Sequence, residues 1–468
     1  MSSNMKVLPL LAVLIGVGCS DASTVAAPTR SIEPASATAA DNLFGPPQKY
    51  VAIGTSISMG WASNGVYFGS QLVSWPALIG FGTLQPISLP LIQAPGCISP
   101  IVAPLGAGLR LSGESIAGST VCANNVDGVT LPTQNVALAQ ALAADALVST
   151  PASKGPMSPF YFRVLPPDMT QLSATLAQRP TIVSVELGGN EVLGGLSGLI
   201  VPGVTVVPLP GFTAPYDALL DGLSTEKPKV VLAGLPADGR NLPALRRGSE
   251  IWADRGEFAA LHVDVSSNCE NNDNFINVSI QSLNLVFAGA AAAQQKLPNP
   301  VYSCADVPGT PDLVLTPSDV AALNGMLAQE TAHIREQATA RGYAFFSLGA
   351  LYDRPDLKGG PYSVVAQLTS KMPYGPFISL DGVHPSPFGH AILAGAAVLS
   401  YNAAYGRFDV RVRGAMANVL PSAPSLSLED QLEDAPLPAA ALEQAKRIAA
   451  ANAGRHLSAC STFAPSKC

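Results

Sequence analysis

A loop near the C-terminal end of the chain reads SLDGVHPSPFGH (residues 379–390), and the fold is organised around it. It places a carboxylate, Asp381, three residues before an imidazole, His384, among glycines and prolines that favour turns. Histidine titrates near neutrality, so it takes up and returns a proton at working pH. Ser386 and Pro387 then predict the capped start of an apolar helix. We expect Asp381 and His384 to face one site.

A base of this kind needs a nucleophile, and the candidate lies far upstream in YVAIGTSISMG (residues 50–60). The apolar run 50–54 predicts a buried strand, and the small residues around Ser56 allow its hydroxyl to lie at the strand end. Ser58 is a second hydroxyl two positions on and is the alternative nucleophile. A single serine after a strand is more often a turn residue, so the assignment depends on the other motifs.

Strand-like and helix-like stretches alternate along the rest of the chain. Further strands are predicted at 181–187, 229–236 and 342–348. Helices are predicted at 74–79, 135–147, 216–223, 280–295, 317–341 with Thr316 as its N-cap, and after Ser386, where Ile392, Leu393, Ala396 and Leu399 form an apolar stripe. The alternation predicts a three-layer α/β/α fold of the flavodoxin-like type, with a central parallel sheet covered on both faces.

Polar residues follow several of these strands. Ser56 follows the first, Asn190 follows the second, and the loop with His384 follows the last after an insertion. Sites in open α/β sheets form outside the carboxyl ends of the strands, so we expect these groups to meet at one edge. Asn190 alone would be read as a helix cap. Glu191 beside it is either a partner of the site residues or a solvated acid at a helix start.

Composition limits the classes of function. The chain has 468 residues, of which 48% are apolar and 13% charged, so a large core is possible. The 42 glycines and 41 prolines indicate long ordered loops. A net charge of −7 supplies no basic surface, so we expect no binding of nucleic acid.

The N-terminus is typical of a targeting segment. Residues 1–18 contain Lys6, then an apolar run at 7–17 and a small-residue end, which together predict a signal peptide. The apolar run is shorter than the roughly 20 residues that a membrane-spanning helix needs.

Cys19 follows these small residues, as in a bacterial lipoprotein signal, although Gly16 stands where a larger aliphatic residue is usual. This resemblance implies an exported protein with a lipid on Cys19, and Ser20 is compatible with sorting to the bacterial outer membrane. The alternative is an ordinary secretory signal that is cut nearby. Residues 19–46 are small, polar and dotted with proline, and predict a flexible tether.

The other cysteines number six, an even set that indicates disulfides in an exported protein. Their spacing favours three sequential pairs, each within one insertion: Cys97–Cys122, Cys269–Cys304 and Cys460–Cys468. The chain has no C-x-x-C pair, so zinc-ribbon and thioredoxin-like readings have no support.

Three short blocks resemble the SGNH hydrolases, also called the GDSL esterase/lipase family. Residues 54–58 (GTSIS) match the nucleophile block, with threonine where the family usually has aspartate. Residues 188–191 (GGNE) match the block that supplies an oxyanion-hole asparagine, with glutamate in place of aspartate. Residues 381–385 (DGVHP) match the Asp-x-x-His block. The resemblance extends over residues 50–406 but is carried by these blocks alone.

The family also has a block with an oxyanion-hole glycine. The nearest match is NVALAQ at 135–140, which puts Gln140 at the glycine position. A backbone N–H donates whatever the side chain is, so the role does not depend on glycine. Gly106, Gly113 and Gly118 are the alternatives.

The resemblance implies a mechanism and its residues. Ser56 attacks a carbonyl as His384 takes its proton, while Asp381 orients the ring. The Ser56 N–H, the Asn190 side-chain amide and the Gln140 N–H would hold the oxyanion, and water would resolve the acyl-enzyme. No metal or cofactor is implied, and we expect a monomer acting on a small-molecule, lipid or glycan ester. The alternatives are an acyltransferase with the same triad and a catalytically silent lipid- or glycan-binding protein.

The expected organisation has four parts. The signal peptide (1–18) and the tether (19–46) precede an SGNH hydrolase domain (47–408) with long disulfide-linked insertions. Residues 409–468 form a C-terminal appendage, with a proline-rich link, one helix and the last cysteine pair.

Overall fold

The computed structural model describes residues 49–82, 87–118, 122–155, 158–354, 358–406 and 446–447. The expected signal peptide, the tether with Cys19, and the appendage except residues 446–447 lie outside the described residues, as do Cys460 and Cys468. None of the helices in the described part is long and apolar enough to cross a membrane.

A parallel sheet of four strands lies at the centre, in the order β1-β2-β3-β9. Its register places Ala52, Ser184, Val231 and Ala344 side by side, one on each strand. Two smaller sheets, β4-β6-β8 and β5-β7, belong to the insertion after β3. The strands are β1 (Tyr50–Gly54), β2 (Ile182–Glu186), β3 (Lys229–Gly234), β4 (Leu245–Arg247), β5 (Asp264–Val265), β6 (Phe275–Asn277), β7 (Val301–Tyr302), β8 (Val314–Leu315) and β9 (Ala344–Ser347).

Helices connect these strands. They are α1 (Ser56–Met59), α2 (Phe68–Gln71), α3 (Trp75–Gly82), α4 (Ala143–Val148), α5 (Pro151–Lys154), α6 (Pro159–Val164), α7 (Gln171–Leu176), α8 (Gly189–Leu193), α9 (Leu209–Ser224), α10 (Gly248–Ala253), α11 (Arg255–Ala260), α12 (Gln281–Gln295), α13 (Pro317–Arg341), α14 (Gly349–Tyr352), α15 (Val364–Thr369) and α16 (Pro387–Tyr405). Short 3₁₀ helices lie at Leu105–Ala107, Gly194–Ser197, Gly239–Asn241 and Ser267–Cys269.

Each face of the sheet buries its own apolar core. On β1, Tyr50 and Ala52 face the core that contains α3 and α16, whereas Val51 and Ile53 face the core that contains α9 and α13. Successive side chains of a strand point to opposite faces, so a strand that is apolar throughout is buried on both. The predicted three-layer α/β/α fold with a parallel sheet is confirmed.

The helix expected over 135–147 is wrong in its first half. Residues 135–138 instead run beside β1, where the Leu138 N–H donates to the Gly54 carbonyl at 3.0 Å, and the helix begins only at Ala143. The alanine-rich composition favours a helix. Hydrogen bonding to β1 and complete burial outweigh that preference.

The helix after Ser386 was expected to bury a stripe that includes Leu399. That residue is 72% exposed. The buried face consists of Leu393, Ala394, Ala397, Val398 and Tyr401. A helix that is apolar on most sides does not show by its pattern alone which face is covered.

Two of the three expected disulfides, Cys97–Cys122 and Cys269–Cys304, are formed. The first closes a loop in the region between α3 and α4, and the second lies in the insertion between β3 and α13. The expected cap of α13 is also confirmed, because the Thr316 hydroxyl accepts a hydrogen bond from the Asp319 N–H.

Candidate active site

Ser56, His384 and Asp381 lie together at the carboxyl edge of the sheet. Ser56 is the first residue of α1, directly beyond β1. Its Oγ lies 2.9 Å from His384 Nε2, across 328 residues of sequence. The Nδ1 of the same ring lies 2.9 Å from Asp381 Oδ2. All three residues are at most 7% exposed, so the chain of hydrogen bonds is shielded from water.

The backbone around Asp381 fixes its carboxylate. Oδ1 accepts hydrogen bonds from the N–H groups of Val383 and His384, and Oδ2 accepts one from the N–H of Asn64 at 2.7 Å. Burial alone would raise the pKa of the Asp381 carboxyl, but the charge of His384 and these hydrogen bonds outweigh it and hold the pKa below its usual value. An ionised Asp381 accepts the Nδ1 proton of the ring, which leaves Nε2 as the acceptor for the Ser56 hydroxyl.

A turn after α1 is hydrogen-bonded to the loop that carries Asp381 and His384. Ser63 and Asn64 both have left-handed backbone conformations, with φ of 54° and 56°. Asparagine tolerates this region better than most residues. The Ser63 N–H donates to Ser379 Oγ at 2.8 Å, next to the bond from Asn64 to Asp381. These contacts tie the segment after α1 to the loop that carries Asp381 and His384.

Glu186, at the end of β2, anchors the turn that carries Ser56. Its carboxylate accepts four hydrogen bonds, from the N–H and hydroxyl of Thr55 and from the N–H and hydroxyl of Ser58, at 2.7–3.1 Å. Burial raises the pKa of Glu186, and the four donors oppose that rise. The sequence analysis missed this residue. The available signal was a glutamate near the end of a predicted buried strand.

The Ser58 hydroxyl forms hydrogen bonds with residues other than His384. Its hydroxyl donates to Glu186 and accepts a hydrogen bond from the Trp75 ring N–H at 3.1 Å, and the residue is fully buried. The structure therefore brings Ser56, and not the alternative Ser58, to His384.

Asn190 lies in the first turn of α8, directly beyond β2, and lines the same cavity as Ser56. Its Nδ2 donates a hydrogen bond to the Ala141 carbonyl at 2.8 Å, which fixes the orientation of the amide. A carboxamide carries two N–H donors, so one remains on the same nitrogen for a ligand.

Gln140 follows the extended residues 135–138 and so lies at the carboxyl edge beside β1. Its φ of 66° is left-handed, a conformation that glycine adopts more readily than other residues. Gln140 is not among the described residues that line the cavity. Of the alternatives, Gly106 is buried in a 3₁₀ helix, whereas Gly113 and Gly118 lie in an exposed loop.

Two further buried acids lie near the edge of the sheet. Glu191 is 1% exposed and accepts a hydrogen bond from the Ala143 N–H at 2.7 Å, so the solvated alternative for this residue is wrong. Burial raises its pKa to about 7. Glu330, on α13, is also 1% exposed, and neither of its oxygens has a hydrogen-bond partner among the described residues. Burial, reinforced by the charge of Glu191, raises the pKa of Glu330 to about 9.

The three other histidines among the described residues lie outside the group formed by Ser56, His384 and Asp381. His333 bonds Asp217 at 2.7 Å on the face of α13. His390 is buried in α16, and burial lowers its pKa to about 3, so it is neutral. His262 lies between α11 and β5, and His456 is outside the described residues.

A cavity opens beside the Ser56 hydroxyl. Its lining residues come from the ends of β1, β2, β3 and β9, from α8, α13 and α14, and from the loops before β4 and around His384. They are Thr55, Ser56, Ile57, Glu186, Gly189, Asn190, Val192, Leu193, Leu196, Leu235, Pro236, Gly239, Leu242, Leu245, Val320, Leu323, Asn324, Leu327, Leu348, Tyr352, Val383 and His384.

No protein-family model and no curated protein sequence matches this chain. Among solved structures, it is similar to the acetylxylan esterase Axe2 from Geobacillus stearothermophilus, with 13% identity, coverage of 76% of this chain and 95% of that one, and a TM-score of 0.33. It is also similar to an extracellular lipase from Streptomyces rimosus (14% identity, 75% and 100% covered, TM-score 0.33). A third is a protein described as a GDSL-like lipase from Parabacteroides merdae (12% identity, 76% and 98% covered, TM-score 0.32).

These proteins are esterases and lipases, and one is of the GDSL type that the sequence blocks resemble. The identities and scores are low. The assignment of the site therefore rests on its geometry.

Proposed function

We propose that this protein is a serine ester hydrolase of the SGNH type, which cleaves carboxylic esters through an acyl-enzyme on Ser56. The observation that carries the proposal is the continuous hydrogen-bond chain from Ser56 through His384 to Asp381. A hydroxyl, an imidazole and a carboxylate in this order are the parts that activate a serine for acyl transfer.

In the first step, Ser56 Oγ forms a bond to the carbonyl carbon of the ester while its proton passes to His384 Nε2. Asp381 stabilises the imidazolium that results. The negative charge develops on the carbonyl oxygen, and the donors proposed for it are the Ser56 N–H and the Asn190 amide. The Gln140 N–H stays a prediction, because Gln140 is not among the described residues that line the cavity. Collapse of this intermediate breaks the bond to the alcohol oxygen, which takes the proton from His384 and leaves.

In the second step, water enters the place of the alcohol. His384 takes a proton from the water, whose oxygen attacks the acyl carbon. The bond to Ser56 then breaks, the serine recovers its proton from His384, and the carboxylic acid is released. No step calls on a group outside this chain, the ester and water.

Replacing the nucleophile tests the proposal. Wild type is expected to hydrolyse p-nitrophenyl butyrate, and Ser56→Ala to lose at least about 10,000-fold in kcat. Ser224→Ala, an exposed serine at the end of α9, is the matched control and retains wild-type activity. Equal rates in wild type and Ser56→Ala would overturn the proposal, and absence of turnover in wild type would favour the silent binding protein.

The acceptor is tested with the same enzyme. A hydrolase gives the free acid as the main product when an alcohol is added, whereas an acyltransferase gives the new ester. Product analysis with and without the alcohol separates the two.

We also propose that the protein is exported and anchored by a lipid on Cys19. The two disulfides support export, because such bonds persist in oxidising compartments. Fractionation of cells tests the anchor: wild type is expected with the membranes and Cys19→Ser in the soluble fraction, and equal fractionation would contradict it.

A further inference from the structure

Most of the side chains that line the cavity beside Ser56 are apolar. Val192, Leu193 and Leu196 come from α8 and the 3₁₀ helix after it. Leu242 and Leu245 come from the loop before β4 and from its first residue. Nearly all the apolar lining residues of the sheet ends and α13 are less than 9% exposed, so this part of the wall belongs to the protein interior.

Most hydrogen-bonding groups of the polar side chains in this lining already bond to the protein. Thr55 and Glu186 bond each other. Asn324 accepts from the Gly239 N–H at 2.9 Å and donates to Asp238 at 2.9 Å, and the Tyr352 hydroxyl donates to the Val383 carbonyl at 2.8 Å.

Outside the proposed catalytic centre, the side-chain donor left for a ligand is the second N–H of Asn324. No lysine or arginine is among the described lining residues. Sugar hydroxyls or a phosphate buried here would lose most of their bonds to water and gain few bonds to the protein, which is costly. A hydrocarbon chain makes no hydrogen bonds to water, so its burial carries no such cost.

The catalytic cycle decides which end of the ester the cavity suits. The acyl group stays attached to Ser56 while the alcohol must leave and water must replace it. A mainly apolar cavity suits the part that stays. From Val320 to Leu327 the wall of α13 spans about 10 Å along the helix axis, about the length of an extended eight-carbon chain.

We propose that this cavity binds the acyl chain of the substrate, and that the enzyme acts on esters of medium-chain fatty acids in preference to acetyl esters. This inference rests on the proposed function. Each additional buried methylene is worth about fourfold in kcat/KM.

The test is a series of p-nitrophenyl acetate, butyrate and octanoate, each below its micelle concentration. The value of kcat/KM in wild type is expected to rise at least about tenfold from acetate to octanoate. Leu323→Trp fills the cavity and lowers the octanoate-to-acetate ratio at least about tenfold. The matched control is Ala322→Trp, which adds the same side chain on the exposed face of α13 and leaves the ratio unchanged.

The inference would be overturned if kcat/KM of the wild type stayed constant or fell from acetate to octanoate. It would also be overturned if Leu323→Trp and Ala322→Trp had the same octanoate-to-acetate ratio. If Leu323→Trp does not fold, Leu323→Ala enlarges the cavity instead, and the preference is expected to shift from octanoate toward decanoate; no shift would count against it. A flat series that still depends on Ser56 refutes the chain-length preference alone. Loss of all Ser56-dependent hydrolysis refutes the proposed function.

Discussion

The turn that carries Ser56 and the helix α13 both bury a glutamate, and they surround it differently. Glu186, beneath the turn, accepts four hydrogen bonds from Thr55 and Ser58. Glu330, on α13, has none among the described residues, and its pKa is raised to about 9 by burial. Near neutral pH the Glu330 carboxyl therefore carries a proton.

This contrast separates two tasks. Four donors that converge on one carboxylate hold a short turn in one conformation, which fixes the position of Ser56. On α13, Leu323 and Leu327 face the cavity and the buried acid is neutral, so this side provides an apolar environment. Changes on the turn side should reduce the rate for every ester, and changes on the α13 side should alter chain-length preference or stability.

The largest effect is expected from Asp381→Asn. The amide would donate to His384 Nδ1, so the ring would carry its proton on Nε2 and could not accept one from Ser56. We expect kcat to fall about 10,000-fold for acetate and octanoate alike. Steady-state kinetics check this, with circular dichroism to show that the fold is kept. A loss of less than tenfold would mean that the ring does not act as the base.

Asn190→Ala is expected to reduce kcat by about 100- to 1,000-fold with little change in KM, because an oxyanion donor acts mainly in the transition state. Asn190→Asp is the informative companion, since it keeps the size but replaces the donor by an acceptor. An increase in KM alone would show that Asn190 binds the ground state and is no oxyanion donor.

Glu186→Gln tests the anchored turn. The amide NH₂ replaces an acceptor oxygen, so at least one buried donor of Thr55 or Ser58 loses its partner at a cost of about 1–3 kcal/mol. We expect the free energy of unfolding to fall by about 2 kcal/mol and kcat to fall about tenfold for all chain lengths. Urea unfolding and kinetics measure both. Unchanged kcat would remove Glu186 from the positioning of Ser56.

The smallest effect on activity is expected from Glu330→Gln, with kcat within about twofold of wild type. Glu330 should instead make the stability of the wild type depend on pH. Glu330 has a pKa of about 9 in the folded protein against 4.5 for a glutamate exposed to water, so the native state holds an extra proton between these values. This contribution to stability is full below the lower value and is lost as pH rises toward the upper one, at up to about 1.4 kcal/mol per pH unit.

Urea unfolding of wild type and Glu330→Gln across that window measures the difference. The variant should show a flatter dependence and gain stability relative to wild type as pH rises. Parallel curves would show that Glu330 is not held protonated.

The sequence predicted the parts of the fold that local patterns determine. The apolar runs before Ser56 and Asn190 gave strands whose carboxyl ends share an edge, so these residues and the histidine loop could be expected to meet there. The helix predicted over 135–147 was wrong at its start because residues 135–138 bond to β1, which is distant in sequence. Glu186 was missed for the same reason. Its four hydrogen-bond donors belong to Thr55 and Ser58, which follow β1, whereas Glu186 ends β2, so they are far apart in sequence.

The cavity could not be predicted for a related reason. Leu196, Leu242, Leu323 and Leu348 come from four separated segments, and each reads as an ordinary core residue in its own helix, strand or loop. Only their arrangement around Ser56 distinguishes a binding cavity from a filled core.

The central claim is that Ser56 is the nucleophile, and covalent labelling tests it most directly. The protein is treated with a p-nitrophenyl alkylphosphonate, digested, and mapped by mass spectrometry as activity is lost. The account predicts one phosphonate per chain, on Ser56, in step with the loss of esterase activity. Inactivation with Ser56 unmodified, or with the label on Ser58 or another residue, would contradict it.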